Sequence, residues 1–411
     1  MTAFHIEPLS TASTVVESKS LCSKDSALLI AGGVYIETCV TPARVTLLGS
    51  GGRAALALLG LRDDIDLHTF HPHSLEQDVA LNFEPLGVRV TVHPTPSRYS
   101  FEYLHPLARP RIVPLPSRDV VSVAIEAEEV LRYGCLEGDF RVTAKRAVYD
   151  PQSGMRPIAF GDNGSTAERL ALVLNGEEIR HMAGEGDIAV AAASMMRHDC
   201  VTAIVVKDGP FGAYVFEEDG PSPRHVPAYP TRSVYKIGSG DVFSATFAHA
   251  WLPGEISAAD AADLASRRTA DYVESPAFPL PRVAAQRAPA SVGSGRRRVL
   301  LASARTATSS RWLQEEAIEG LAALGAAVVL DESFPGQSWP PAAAEGDFDL
   351  VLILLRDTGN AVAETYAALA HGKSVVAFVD DPTILDAIRG LGVIAEDDLC
   401  SALYRTQWIP T

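Results

Sequence analysis

The stretch Lys236-Ile237-Gly238-Ser239-Gly240-Asp241 leads directly into VFSATFAHAWL. Small and apolar residues fill the segment after Asp241, which predicts a buried helix. The two glycines let a backbone come close to a ligand. The helix that starts there aims unpaired N–H groups and a positive dipole at one point, so the turn is an anion site. Asp241 stands beside it, placed to accept a proton from a hydroxyl nucleophile. A base next to an anion hole is what phosphoryl transfer to an alcohol requires. As a plain helix N-terminal carboxylate, Asp241 would instead contribute about 0.3–1 kcal/mol of stability through the dipole.

Working outward, the apolar run Leu170 to Leu174 precedes Asn175-Gly176-Glu177-Glu178, which opens another helix. A carboxylate there can order the waters of Mg²⁺ beside a phosphate chain. The run Ala203 to Val206 continues into Lys207-Asp208-Gly209-Pro210-Phe211-Gly212, read as strand, glycine turn and strand. Ala27 to Ala31 ends in Gly32-Gly33, Gly51-Gly52 precedes RAALALLGL, and Asp150-Pro151-Gln152 closes another apolar segment. Runs buried on both faces, alternating with helices, indicate a parallel sheet in an α/β fold. Val88 to Val92, among Pro and His, reads as a short antiparallel strand. After the helix that follows Asp241, AADLASRRTADYVES is a small-residue helix able to flank a flat adenine.

These pieces, in this order, resemble the ribokinase-like (PfkB) family of sugar and nucleoside kinases over about residues 27–280. The resemblance implies a three-layer α/β/α domain with a small β lid at about 34–45 and 86–105. It implies Asp241 as catalytic base, with Gly238, Ser239 and Gly240 as the anion hole. Lys207, Gly209 and Gly212 would hold ATP, and Asn175 with Glu178 would belong to an Mg²⁺–phosphate network, Glu178 acting on Mg²⁺ indirectly. Glu37, Gly51 and Gly52 would contact the acceptor. Where the family usually has Asp-Thr this chain has Tyr235-Lys236, and Leu56 stands where the family has Asn. A homodimer through the lid and a cytoplasmic location are further expectations.

Residues 298–411 repeat the alternation on a smaller scale. Val299 to Ala302, Ala326 to Leu330, Leu350 to Leu355 and Val375 to Val379 read as strands; Arg311 to Leu324 and Val362 to His371 read as helices. That is a flavodoxin-like or Rossmann-like sheet. Asp357, Gly359, Glu364 and Gly372-Lys373 resemble the nucleoside 2-deoxyribosyltransferase-like family. The resemblance implies Glu364 as a nucleophile at an anomeric carbon, with a covalent glycosyl intermediate.

Composition narrows the field. With 411 residues the prior is two to three domains. A net charge of −16 argues against nucleic acid as the main partner. No apolar run approaches the roughly 18 residues of a membrane span, and the N-terminus reads as no signal peptide. Five scattered cysteines without a CxxC read as free thiols. The aperiodic stretch 282–297 reads as a linker. The expected division is an extension over 1–24, a kinase domain over 25–284, a linker over 285–297 and a second domain over 298–411. The expected activity is ATP-dependent phosphorylation of a sugar or nucleoside hydroxyl, fused to an N-glycosidase-like domain. Two other readings stand beside it: a nucleotide sensor without turnover, and an N-glycosidase whose main chemistry lies in the second domain.

Overall fold

The computed structural model describes residues 27–409, apart from 97, 117–119, 153–156, 198–199, 219, 221–222, 292–295, 304–307, 331–347, 356–371 and 390–391. The extension over 1–24 therefore lies outside the described residues. In chain order come β1 Leu28–Ala31, β2 Ile36–Cys39, β3 Arg44–Leu47, α1 Gly49–Ala57, β4 Ile65–His71, α2 Glu76–Phe83, β5 Arg89–Pro94, β6 Ser100–Tyr103, β7 Arg111–Val113, β8 Val121–Tyr133 and β9 Gly138–Asp150. They are followed by β10 Thr166–Asn175, α3 Gly176–Ala183, α4 Ile188–Met195, β11 Val201–Lys207, β12 Ala213–Glu217, β13 Arg224–Val226, α5 Ser239–Trp251 and α6 Ala258–Glu274.

The larger sheet has the order β13-β12-β11-β10-β9-β8-β1-β4-β5. Its pairings are parallel from β11 to β5; β12 runs antiparallel to β11, and β13, antiparallel to β12, returns to the common direction. The apolar runs at 28–31, 170–174 and 203–206 are its buried interior, as their composition requires. β5 pairs in parallel with β4, not antiparallel. It is an edge strand, so polar residues are tolerated on it and its sequence does not carry the signature of a buried parallel strand. A separate four-stranded lid has the order β3-β2-β6-β7. It reaches Val113, and residues 89–94 belong to the main sheet instead of the lid.

β8 and β9 contain an unexpected bend. They pair in parallel from Val121↔Gly138 to Tyr133↔Asp150. A straight strand of 13 residues spans about 43 Å. The step from Tyr133 to Gly138 covers at most about 19 Å. Both strands must therefore fold back on themselves midway. Burial records the turn. The first half of β9 alternates buried and exposed, and its last four residues, Ala147 to Asp150, are all buried. Val123, Ile125, Phe140 and Val142 from the first halves pack with Leu29, Leu170 and Leu172 of the central strands. The outer halves thus share one face of the sheet with α3 and α4, through Ile179 and Ala191. α1, α5 and α6 cover the other face.

The second unit has β14 Arg298–Ser303, α7 Thr308–Ala323, β15 Ala327–Leu330, β16 Leu350–Leu355, β17 Ser374–Val379 and β18 Ile394–Glu396, with helices Pro382–Arg389 and Leu399–Trp408. Its five strands are all parallel in the order β15-β14-β16-β17-β18. The apolar cluster beneath α5 and α6 continues unbroken into this unit through Leu321 and Leu403. The connecting stretch is pinned as well: Arg287 pairs with Asp271 at 2.5 Å and Glu274 at 2.7 Å, and the Ala290 N–H donates to the Ala228 carbonyl at 2.8 Å. Among the described residues no helix is long and apolar enough to cross a membrane.

Candidate active site

α5 begins at Ser239, with Gly238 in the left-handed region at φ 76° as its N-cap. A Cβ on Gly238 would lie 2.0 Å from Arg53 Nε, so only glycine fits between the turn and that guanidinium. Asp241, in the first helical turn, is 6% exposed. Its Oδ2 accepts from Arg53 Nη1 at 2.5 Å, its Oδ1 accepts from Gln152 Nε2, and its carbonyl accepts from the Tyr133 hydroxyl at 2.8 Å. Burial pushes the Asp241 carboxyl above its ordinary range, with the Arg53 charge acting against that rise. Arg53 Nη2 also donates to Glu37 Oε2. One fully buried guanidinium thus joins the lid carboxylate Glu37 to Asp241. Arg53 was not singled out from the sequence. Its signal was a charge directly after Gly51-Gly52, in a helix otherwise small and apolar.

Gly51 and Gly52, expected at the acceptor, are also required for packing. A Cβ on Gly51 would sit 2.7 Å from the carbonyl carbon of Gly32, so the two glycine pairs let the end of β1 touch the start of α1. On Gly52 a Cβ would meet the Phe83 ring at 2.6 Å. Both positions serve close packing behind the site.

On one side of Asp241 the expected phosphate-binding residues converge. Lys207 Nζ pairs with Asp150 Oδ2 at 2.8 Å, and Asp150 also accepts from the Ser244 hydroxyl at 2.6 Å. Lys236 Nζ donates to Ser239 Oγ at 2.7 Å. Burial lowers the Lys236 pKa and the nearby Lys207 charge adds to that; burial acts on Lys207 too, but Asp150 and Glu178 overcome it and its pKa is raised. Lys207, Lys236, Gly209, Gly212, Ser239 and Gly240 line a cavity of about 100 Å³. α6 forms another wall through Ser266 and Ala270, where the sequence expected a flank for adenine. Asn175 and Glu178 form a capping box at the start of α3: Asn175 Oδ1 accepts from the Glu177 and Glu178 N–H groups, and Glu178 Oε2 accepts from the Asn175 N–H at 2.8 Å.

On the other side a cavity of about 1470 Å³ runs from the lid to the carboxyl end of the sheet. Tyr35, Phe101 and Ile112 line it from the lid, and Gln152 connects it to Asp241. Glu137 also lines it and is 4% exposed. Its Oε2 accepts from the Leu136 N–H at 3.1 Å, and its Oε1 has no hydrogen-bond partner among the described residues. Burial pushes the Glu137 pKa up to about 7. Sequence reading passed over it, because GCLEGDF has the composition of an ordinary turn.

In the second unit Asp357, Gly359 and Glu364 lie outside the described residues, as does the expected helix over 362–371. Lys373 donates to the Phe348 carbonyl at 2.8 Å. Among the described residues no group of three or more His, Cys, Asp or Glu is placed to hold a metal ion, and Cys39, Cys135, Cys200 and Cys400 are free thiols.

Residues 170–270, which carry Asn175, Lys207 and Asp241, match the pfkB family carbohydrate kinase model. No curated protein matches the chain. Among solved structures, a ribokinase from Thermotoga maritima is 16% identical, with 62% of this chain and 96% of that chain covered and a TM-score of 0.45. A pyrophosphate-dependent kinase in the ribokinase family is 16% identical, covering 62% and 97%, with a TM-score of 0.43. An adenosine kinase from Sinorhizobium meliloti is 14% identical, covering 64% and 97%, with a TM-score of 0.43.

Proposed function

We propose that the chain is a phosphotransferase that phosphorylates a hydroxyl of a small sugar or nucleoside. The observation that carries this reading is Asp241: a buried carboxylate at a helix N-terminus, with a lysine-lined cavity on one side and a lid-covered cavity on the other. In this reading the acceptor lies in the larger cavity and Asp241 takes its hydroxyl proton. The N–H groups at Gly238–Gly240, with Lys207 and Lys236, stabilise charge on the phosphoryl group as it moves. Arg53 holds the Asp241 carboxylate in place, and the unpartnered oxygen of Glu137 accepts from an acceptor hydroxyl.

The resemblance implies ATP and Mg²⁺. Glu178 lies near enough to Lys207 to raise its pKa, and one of its oxygens is spent on the helix cap. It would hold Mg²⁺ through water, and that ion supplies neutralisation of phosphate charge. The lysines and Gly240 fit the phosphates of ATP. The cavity of about 100 Å³ does not fit its nucleoside, since pockets for small molecules run at about 300–1,000 Å³. No step is therefore routed through ATP.

The test is a panel of sugars and nucleosides with nucleotide and inorganic phosphate donors, read by product mass. A monophosphorylated product with wild type, absent with Asp241→Asn, is the expected result. No product from any pairing would overturn the reading.

A further inference from the structure

The helix Leu399–Trp408 forms a wall of the smaller cavity. Tyr404 and Trp408 line it, opposite α6. The helix is fastened to both rims. At one rim Trp408 Nε1 donates to the Pro210 carbonyl at 3.0 Å, and the Tyr404 hydroxyl reaches to 3.8 Å from where a Cβ on Gly209 would stand. At the other rim the Val234 N–H donates to Ser401 Oγ at 2.8 Å, and Arg405 Nη2 donates to the Arg232 carbonyl at 2.9 Å. Leu399, Leu403 and Tyr404 belong to the apolar cluster shared by both units. The aromatic wall is thus part of the core. Moving it would expose that cluster and break hydrogen bonds at both rims.

What remains open is small and lined by two lysines, Lys207 held against Asp150 and Lys236 against Ser239. Two ammonium groups and the N-terminus of α5 converge on it. Lys236 is the unusual member, standing where the resemblance leads one to expect Thr. Two like charges held together out of water favour a compact polyanion between them.

We infer that the phosphoryl donor of this chain is an inorganic condensed phosphate, pyrophosphate being the shortest, and that Tyr404 and Trp408 exclude a nucleoside from the donor cavity. The inference rests on the phosphotransferase reading for its chemistry. In the step, the acceptor oxygen forms a bond to one phosphorus and the bridging P–O bond breaks. Orthophosphate leaves with the bridging oxygen, and the hydroxyl proton passes to Asp241 and then to solvent. No redox partner is needed.

Calorimetric titration of the full chain with pyrophosphate, ATP and adenosine, each with Mg²⁺, tests the donor without an acceptor. Pyrophosphate is expected to bind more than about tenfold tighter than ATP, and adenosine not at all. Trp408→Ala and Tyr404→Ala should narrow that gap by tightening ATP while leaving pyrophosphate nearly unchanged. Lys236→Met should weaken pyrophosphate. Wild type binding ATP as tightly as pyrophosphate, or not binding pyrophosphate, overturns the inference whether or not the alanine variants fold. The two readings fail separately. Phosphoryl transfer from ATP would keep the kinase reading and sink the donor inference. Selective pyrophosphate binding without transfer to any acceptor would sink the kinase reading and keep only the assignment of the cavity to a condensed phosphate.

Discussion

The two cavities that flank the turn at Gly238–Asp241, one reaching it through Ser239 and Gly240 and the other through Gln152, are built on opposite plans. The cavity proposed for the acceptor is about 1470 Å³ and the one proposed for the donor about 100 Å³. The first is enclosed by a lid of short strands and carries a buried carboxyl with a spare oxygen. The second is walled by an aromatic helix from another part of the chain and carries two lysines. In the proposed reading one helix N-terminus faces two ligands of different kind, and the surroundings decide which kind each is. A roomy, mixed-polarity cavity selects by hydrogen bonding. A tight cationic one selects by size and charge.

The largest test of that contrast falls on the shared residue. Asp241→Asn keeps the shape but cannot take a proton. kcat should fall by about 10²–10⁴-fold, the usual worth of a general base, with donor affinity little changed. Equal loss of donor binding would mean the two cavities are not separable at Asp241.

Arg53 comes next. Removing it leaves Glu37 and Asp241 as buried carboxylates without their counter-ion. Arg53→Met should destabilise the fold by about 3–5 kcal/mol, read from the denaturant midpoint. Adding Glu37→Gln should recover part of that loss. A variant as stable as wild type would show that water, not the guanidinium, carries those charges.

Glu137 gives a pH signature on the acceptor side only. Its pKa is raised from 4.5 to about 7, so the folded chain holds that proton more tightly than the unfolded one. The stability this supplies is complete below about pH 4.5 and is lost as pH rises through about 7. A shift of that size corresponds to about 3 kcal/mol. Glu137→Gln cannot ionise, so its stability should exceed that of wild type by up to that amount above pH 7. Denaturation curves at pH 5 and pH 8 check this; the same pH slope in both proteins would place Glu137 in water.

The smallest effect is expected at Glu178. Glu178→Gln retains the capping box, because an amide oxygen also accepts the Asn175 N–H. The melting temperature should barely move. A rise in the Mg²⁺ needed for half-maximal turnover would then report the phosphate side alone, and an unchanged titration would leave Glu178 a helix cap.

Much of the donor side was legible along the chain. Lys207, Gly209, Gly212 and the turn at Gly238–Asp241 lie at strand ends and helix starts, where local sequence fixes geometry. The acceptor side was less so. Its lid was placed only roughly, and β8 and β9 were missed although GDFRVTAKRAVYD alternates before it turns apolar. That switch from one buried face to two is the mark of a strand leaving an outer layer for the sheet.

By itself the sequence determined the parallel core, because runs buried on both faces must be apolar, and the anion turn, because only glycine permits its backbone. Tertiary structure alone decided three things. It brought Arg53 between Glu37 and Asp241, it buried the Glu137 carboxyl in the wall of the larger cavity, and it laid Tyr404 and Trp408 along the lysine-lined one. Each of these joins residues far apart in the chain. A charge, a carboxyl or an aromatic ring acquires its role from the neighbours that folding supplies, and local pattern carries no record of them.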